Sequence, residues 1–137
     1  MARTTPVVKI RGITPELAEK LREQKIMNTQ QLLQVGCSPE DRSKLAKRLG
    51  ADPDALLEIL NRADLDRVAG IGAAYSNLLE EAGVDTVKEL SKRVPANLHA
   101  KIMEINNEKK ITTHPPTLAQ VEGWVAEAKK LPVMMTY

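Results

Sequence analysis

Three times in its first half the chain sets a capping residue directly before a proline and an acid: Thr14-Pro15-Glu16, Ser38-Pro39-Glu40 and Asp52-Pro53-Asp54. Proline at the first helical position costs no hydrogen bond, the residue before it takes up free N–H groups, and an acid in the first turn suits the helix dipole. Each triplet therefore starts a helix, and starts this close together force the helices to be short. The first predicts a helix to about Lys25 with Leu17, Ala18 and Leu21 at helical spacing. The second carries Leu45, Ala46 and Leu49 before Gly50 supplies a left-handed stop. The third opens a central helix, Ala55 to Ala63, whose Leu56, Leu57, Ile59 and Leu60 make a face wide enough to pack on two sides.

The second half has the same rhythm. Ala74, Tyr75, Leu78, Leu79 and Ala82 share a helical face that Gly83 closes, and Asp85 or Thr86 caps a short helix through Val87 and Leu90. After Val94-Pro95 a longer helix carries Leu98, Ile102 and Ile105 and ends near the polar run Asn106 to Lys110. Thr112 to Pro116 is a loop. Thr117 and Gln120 have capping-box spacing ahead of a last helix with Val121, Trp124, Val125, Ala128 and Leu131 inward. Apart from Pro6 to Ile10, too short to pair alone, no window alternates with a strand's period, so the expected fold class is all-α.

Composition narrows the function classes. The single Cys37 forms no internal disulfide and offers no structural zinc site, so stability rests on an aliphatic core drawn from 42% apolar residues with no Phe. No apolar run approaches the ~20 residues of a membrane span. Nothing near Met1 has the apolar segment of a secretory signal, which points to the cytoplasm. His99 and His114 lack companions at ligand spacing, and no acid–base or nucleophilic constellation converges, so neither a metal, a cofactor nor catalysis is expected. Gly70 and Gly72 match the first two glycines of a dinucleotide fingerprint, but Tyr75 replaces the third and no βαβ unit surrounds them.

The chain aligns with itself. An offset of 58 puts Ile10-Arg11-Gly12-Ile13 on Val68-Ala69-Gly70-Ile71 and Leu21 on Leu79, while an offset of 57 puts Asn28-Thr29 on Asp85-Thr86 beyond the next turn. Residues 1–62 and 63–131 thus read as two related units around a shared core, with residues 132–137 as a tail. Leu65 to Gly72 followed by the helix through Leu79 resembles a helix-hairpin-helix motif, and Gly12-Ile13-Thr14 resembles a degenerate first copy. More narrowly, Asn61 to Leu65, Gly70-Ile71-Gly72, Ala82 to Leu90, Asn97 to Lys101 and Val121 to Val125 resemble a bacterial domain of unknown function, numbered 4332. That likeness covers about residues 8 to 131 and implies a tandem hairpin fold without implying an activity.

In the helix-hairpin-helix superfamily, paired turns grip a nucleic-acid backbone without reading bases. The resemblance makes Gly70, Ile71, Gly72 and Ala73 the candidates for phosphate contact, helped by Arg67 and, from the first unit, by Lys9, Arg11 and Gly12. The chain departs from that pattern: Ala73-Ala74 stands where a basic pair is common, Thr14 replaces the second Gly of the first hairpin, and Glu16 adds an anion. Residues 1–62 carry 11 basic and 8 acidic residues against 9 and 10 in residues 63–137, so the better hairpin lies in the more acidic half. A protein-interaction or scaffold module, docking partners through its surface and tail, is the alternative expectation. The apolar tail Leu131 to Tyr137 must either fold back or be covered by another chain.

Overall fold

The computed structural model describes residues 5–137, save the side chain of Ala73; residues 1–4, and the reading that no secretory signal begins there, lie outside the described residues. Among these there are eight α-helices and no strand: α1 (Pro15–Glu23), α2 (Thr29–Gly36), α3 (Pro39–Leu49), α4 (Pro53–Leu65), α5 (Ala73–Glu81), α6 (Val87–Ser91), α7 (Pro95–Lys109) and α8 (Leu118–Lys130). The fold is all-α. The three cap–proline triplets each act as expected, with Thr14, Ser38 and Asp52 accepting from Leu17, Asp41 and Ala55 N–H groups at 3.1, 3.2 and 3.1 Å. Thr117 and Gln120 close a reciprocal capping box at the start of α8. Of the two residues proposed to cap α6, Thr86 does so, accepting from Glu89 N. Pro6 makes one isolated antiparallel bridge to Asn28, and Val7–Lys9 forms a single 3-10 turn.

The expected shared core is instead two clusters. One gathers Leu21, Leu32, Leu33, Leu45, Leu49, Leu56 and Leu60 from α1 to α4; the other gathers Leu78, Leu79, Leu90, Leu98, Ile102, Val121 and Trp124 from α5 to α8. The division falls inside α4, whose Ala63 packs in the first cluster and whose Leu65 packs in the second. Three helix pairings correspond, α1 on α3, α2 on α4 and α3 on α4 in one half and α5 on α7, α6 on α8 and α7 on α8 in the other, whereas the close packing of α2 on α3 has no equal between α6 and α7.

Local geometry corresponds at a constant spacing of 58 residues. Ile13 N donates to Ile10 O and Ile71 N to Val68 O, closing equal turns in which Gly12 and Gly70 hold φ of +100° and +89°. Only glycine takes that conformation without a steric cost. Each following helix ends alike, with Ile26 N donating to Leu21 O and Val84 N to Leu79 O, and with Lys25 and Gly83 left-handed. The next caps are Asn28 and Thr86, and Leu32 and Leu90 are both fully buried. The spacing therefore stays at 58, and the shift to 57 drawn from the sequence is corrected: the capped position, not the Asp-Thr pair, is what aligns.

Candidate nucleic-acid interface

The two turns differ in how their helices begin. Thr14 caps α1 with its side chain, whereas the N-cap of α5 is Gly72, which has none to offer. The first N–H groups of α5 thus keep their partial positive charge for an outside acceptor. Gly72 has ordinary extended backbone (φ −96°), and a Cβ added there would meet nothing within 4 Å.

Lys9 and Arg11 from the first turn, Arg62 and Asp66 from and after α4, and Gly72 and Ser76 at the start of α5 line one small cleft. Its free space of about 20 Å³ is that of a single water or one oxygen of a larger group. Ser76 is only 7% exposed, and its hydroxyl has no hydrogen-bond partner among the described residues. Lys9 and Arg11 are exposed at the mouth. Arg62 spans the two halves: Nη1 donates to Arg11 O (2.9 Å), while Nε and Nη2 reach Glu80 Oε2 at 3.1 and 2.9 Å.

The remaining expected contacts are placed otherwise. Arg67 is 4% exposed and does not face solvent; Nε and Nη2 donate to Asp64 Oδ1 at 3.0 and 2.7 Å, and Nη1 donates to Pro132 O at 2.8 Å. Its assignment to phosphate is therefore corrected, because a guanidinium committed to a buried carboxylate is not available to a ligand. Ile71 is fully buried core. Gly70 is exposed beside Trp124, Gly12 opens on a different groove next to Glu16 and Lys20, and Ala73 begins α5 with its side chain outside the described residues. Ala69 N already donates to a carboxylate, Glu127 Oε2, at 3.2 Å.

Sequence reasoning missed Asp64. Its carboxylate is buried between Arg67 and Val87 N, which donates to Oδ2 at 2.8 Å. Burial pushes Asp64 above the usual carboxylate range, opposed by Arg67 and the Val87 N–H. Arg62 and Ser76 were also missed, because neither lies in a turn motif. A cation three residues after an acid near a helix end was the one signal that marked the Asp64–Arg67 pair.

Of the other candidates, Trp124 is core, stacked at a tilt on Tyr75 with ring centroids 5.3 Å apart. His99 Nε2 lies 3.1 Å from Pro116 O. Among the described residues no group of His, Cys, Asp and Glu is arranged to hold a metal, and no helix is long and apolar enough to cross a membrane.

Comparison with curated proteins and with solved structures gave no match. A family model does match, over residues 11–131, which is most of the chain and includes the second turn, all but the first residue of the first turn, and all eight helices. The chain belongs to the family described as Domain of unknown function (DUF4332).

Proposed function

We propose that the chain is a tandem helix-hairpin-helix module that holds nucleic-acid backbone phosphates without reading bases. The observation that carries this reading is the shared cleft: the first turn supplies cations, Lys9 and Arg11, and the second supplies the uncapped start of α5 with the Ser76 hydroxyl behind it. Each turn alone has half of an anion site. The cleft is too small for a whole phosphate, so one phosphate oxygen enters toward Ser76 while the rest sits at the mouth between Lys9 and Arg11. Asp66 in the wall and Glu127 on Ala69 N oppose a ligand of the same charge, which makes the binding weak.

Fluorescence anisotropy with labelled duplex DNA tests the reading. Two free cations, with Arg67 withdrawn, give a slope of log K against log salt near −1.8 at roughly 0.9 per phosphate, or about a twelvefold loss between ~50 and ~200 mM salt. Arg11→Ala is expected to cut that slope by about half. Gly72→Val, which the open space around the residue tolerates, is expected to abolish binding. Binding that is unchanged in both variants overturns the site.

The second reading, a protein-docking module, has its own observation. Val8 and Met27 are 55% and 51% exposed on either side of an apolar groove floored by Val7, Ala18 and Ile26. No DNA binding at the lower salt concentration, under conditions where the chain is folded, retires the phosphate reading in favour of this one.

A further inference from the structure

The segment after α8 does not stay with the helices it comes from. The half that ends in α8 holds it through Leu131, packed on the second core, and through the Arg67 bond to Pro132 O. Pro132 cannot extend the helix, Val133 is 58% exposed, and from Met134 onward the contacts are with the first half. Met135, 3% exposed, is a member of the first core. Thr136 N and Oγ1 both donate to Cys37 O, at 2.8 and 3.3 Å. Arg42 donates to Thr136 O at 2.7 Å while its other guanidinium nitrogen holds Gly36 O and Cys37 O at 3.2 and 2.9 Å. The same guanidinium lies 5.3 Å from the Tyr137 ring centroid, and Tyr137 O–H donates to Asn61 Oδ1 at 2.7 Å.

We propose that this seat, built from the end of α2, Arg42 of α3 and Asn61 of α4, is a peptide-docking site that also takes residues 132–137 of a second copy of the chain, giving a tail-exchanged dimer. The recognition elements are an apolar plug, a main-chain pair read by Cys37 O and Arg42, and an aromatic ring under a cation. All lie within three consecutive residues, so none depends on which copy the peptide comes from. Every contact made within one chain can form between two, and the exposed, proline-bearing link at Pro132 and Val133 is the hinge such an exchange requires. A short link gives the chain's own tail an effective concentration on the order of mM, so exchange emerges at high protein concentration or when the internal tail is disabled. The inference does not rest on phosphate binding.

Complementation tests it. A Met135→Asp chain has an intact seat and a spoiled tail; an Arg42→Ala chain has the reverse. Each alone is expected to sediment near its 15.1 kDa mass, whereas a mixture at about 100 μM, still below the effective concentration of a tethered tail, is expected to show a species of twice that mass. A labelled peptide of residues 131–137 is expected to bind the Met135→Asp chain and to lose at least tenfold in affinity when Arg42→Ala is added. Two variants that melt cooperatively but stay monomeric when mixed overturn the proposal. Peptide binding without the mixed species overturns it equally, since the seat would then serve some other peptide. If Met135→Asp does not fold, Thr136→Pro, which keeps Met135 and removes the N–H and the hydroxyl given to Cys37 O, replaces it. Failure of both to fold makes the tail an inseparable part of the core and ends the proposal.

Discussion

The first residues of α2 and α6 face the same problem and solve it with different chemistry. Thr29 N donates to Thr5 O at 2.8 Å, a main-chain acceptor delivered by an extended segment running past the helix. Val87 N, 58 residues later, donates to the Asp64 carboxylate. The chain entering the second half is already wound into α4, so no extended main chain is there to offer a carbonyl, and a side chain replaces it. The substitution carries a charge into the interior, and Arg67 follows to neutralise it. A backbone requirement in one half has thus become a buried ion pair in the other.

The comparison is broken most directly at that pair. Asp64→Ala strands a buried guanidinium and an N–H donor and is expected to lower stability by about 3–5 kcal/mol. Thr29→Val removes only the neutral bond from Thr5 N to Thr29 Oγ1 in the first half and is expected to lower stability by about 1 kcal/mol. Denaturant unfolding of the two variants measures the ratio; equal losses would mean that the carboxylate does no more than a hydroxyl does. A second difference can be erased instead of broken. Lys25 stands left-handed where the second half has Gly83, so Lys25→Gly is expected to raise stability by about 1 kcal/mol, read as a higher denaturant midpoint at an unchanged slope.

The smallest effect concerns pH at the seam between the halves, where Glu58, Arg62, Glu80 and Asp85 line a cavity of about 120 Å³. Burial raises both Glu80 and Asp85; Arg62 opposes this at each, while Glu58 adds to it through a hydrogen bond to Glu80 and through its charge at both. A carboxyl raised in the folded state binds its proton more readily there than in the unfolded chain. Stability from these two groups therefore rises as pH falls from neutral through their folded values toward the ordinary carboxylate range. A modest increase in Tm between pH 7 and 5, flattened in Glu58→Gln, is the expected result.

Helix starts were legible because their signals are local: a cap, a proline and an acid within three residues define Thr14, Ser38 and Asp52 whatever surrounds them. The turns at Gly12 and Gly70 were legible for the same reason. What was not legible is the fate of charge. Arg67 was expected on the surface, facing phosphate, yet it and its neighbours Asp64 and Asp66 are all buried, where α4 continues two residues past Ala63. The cleft joins residues more than 60 positions apart, and the tail finds Cys37 across 99. No spacing rule reaches so far. The open start of α5 was visible as Gly72, and of the three cations expected beside it Lys9 and Arg11 line the cleft, whereas Arg67, next door in sequence, is buried on Asp64.

Helix α4 gives the molecule a phase relation. Ala63 belongs to one core and Leu65 to the other, on one unbroken helix. Inserting a single residue between them would turn everything downstream by about 100° about the helix axis. Both cores would still be buildable, but Arg62 would no longer meet Glu80, and the tail would leave α8 pointing away from Arg42. The count of residues in that one stretch sets the angle at which the halves are keyed, much as the cut of a shaft times two gears.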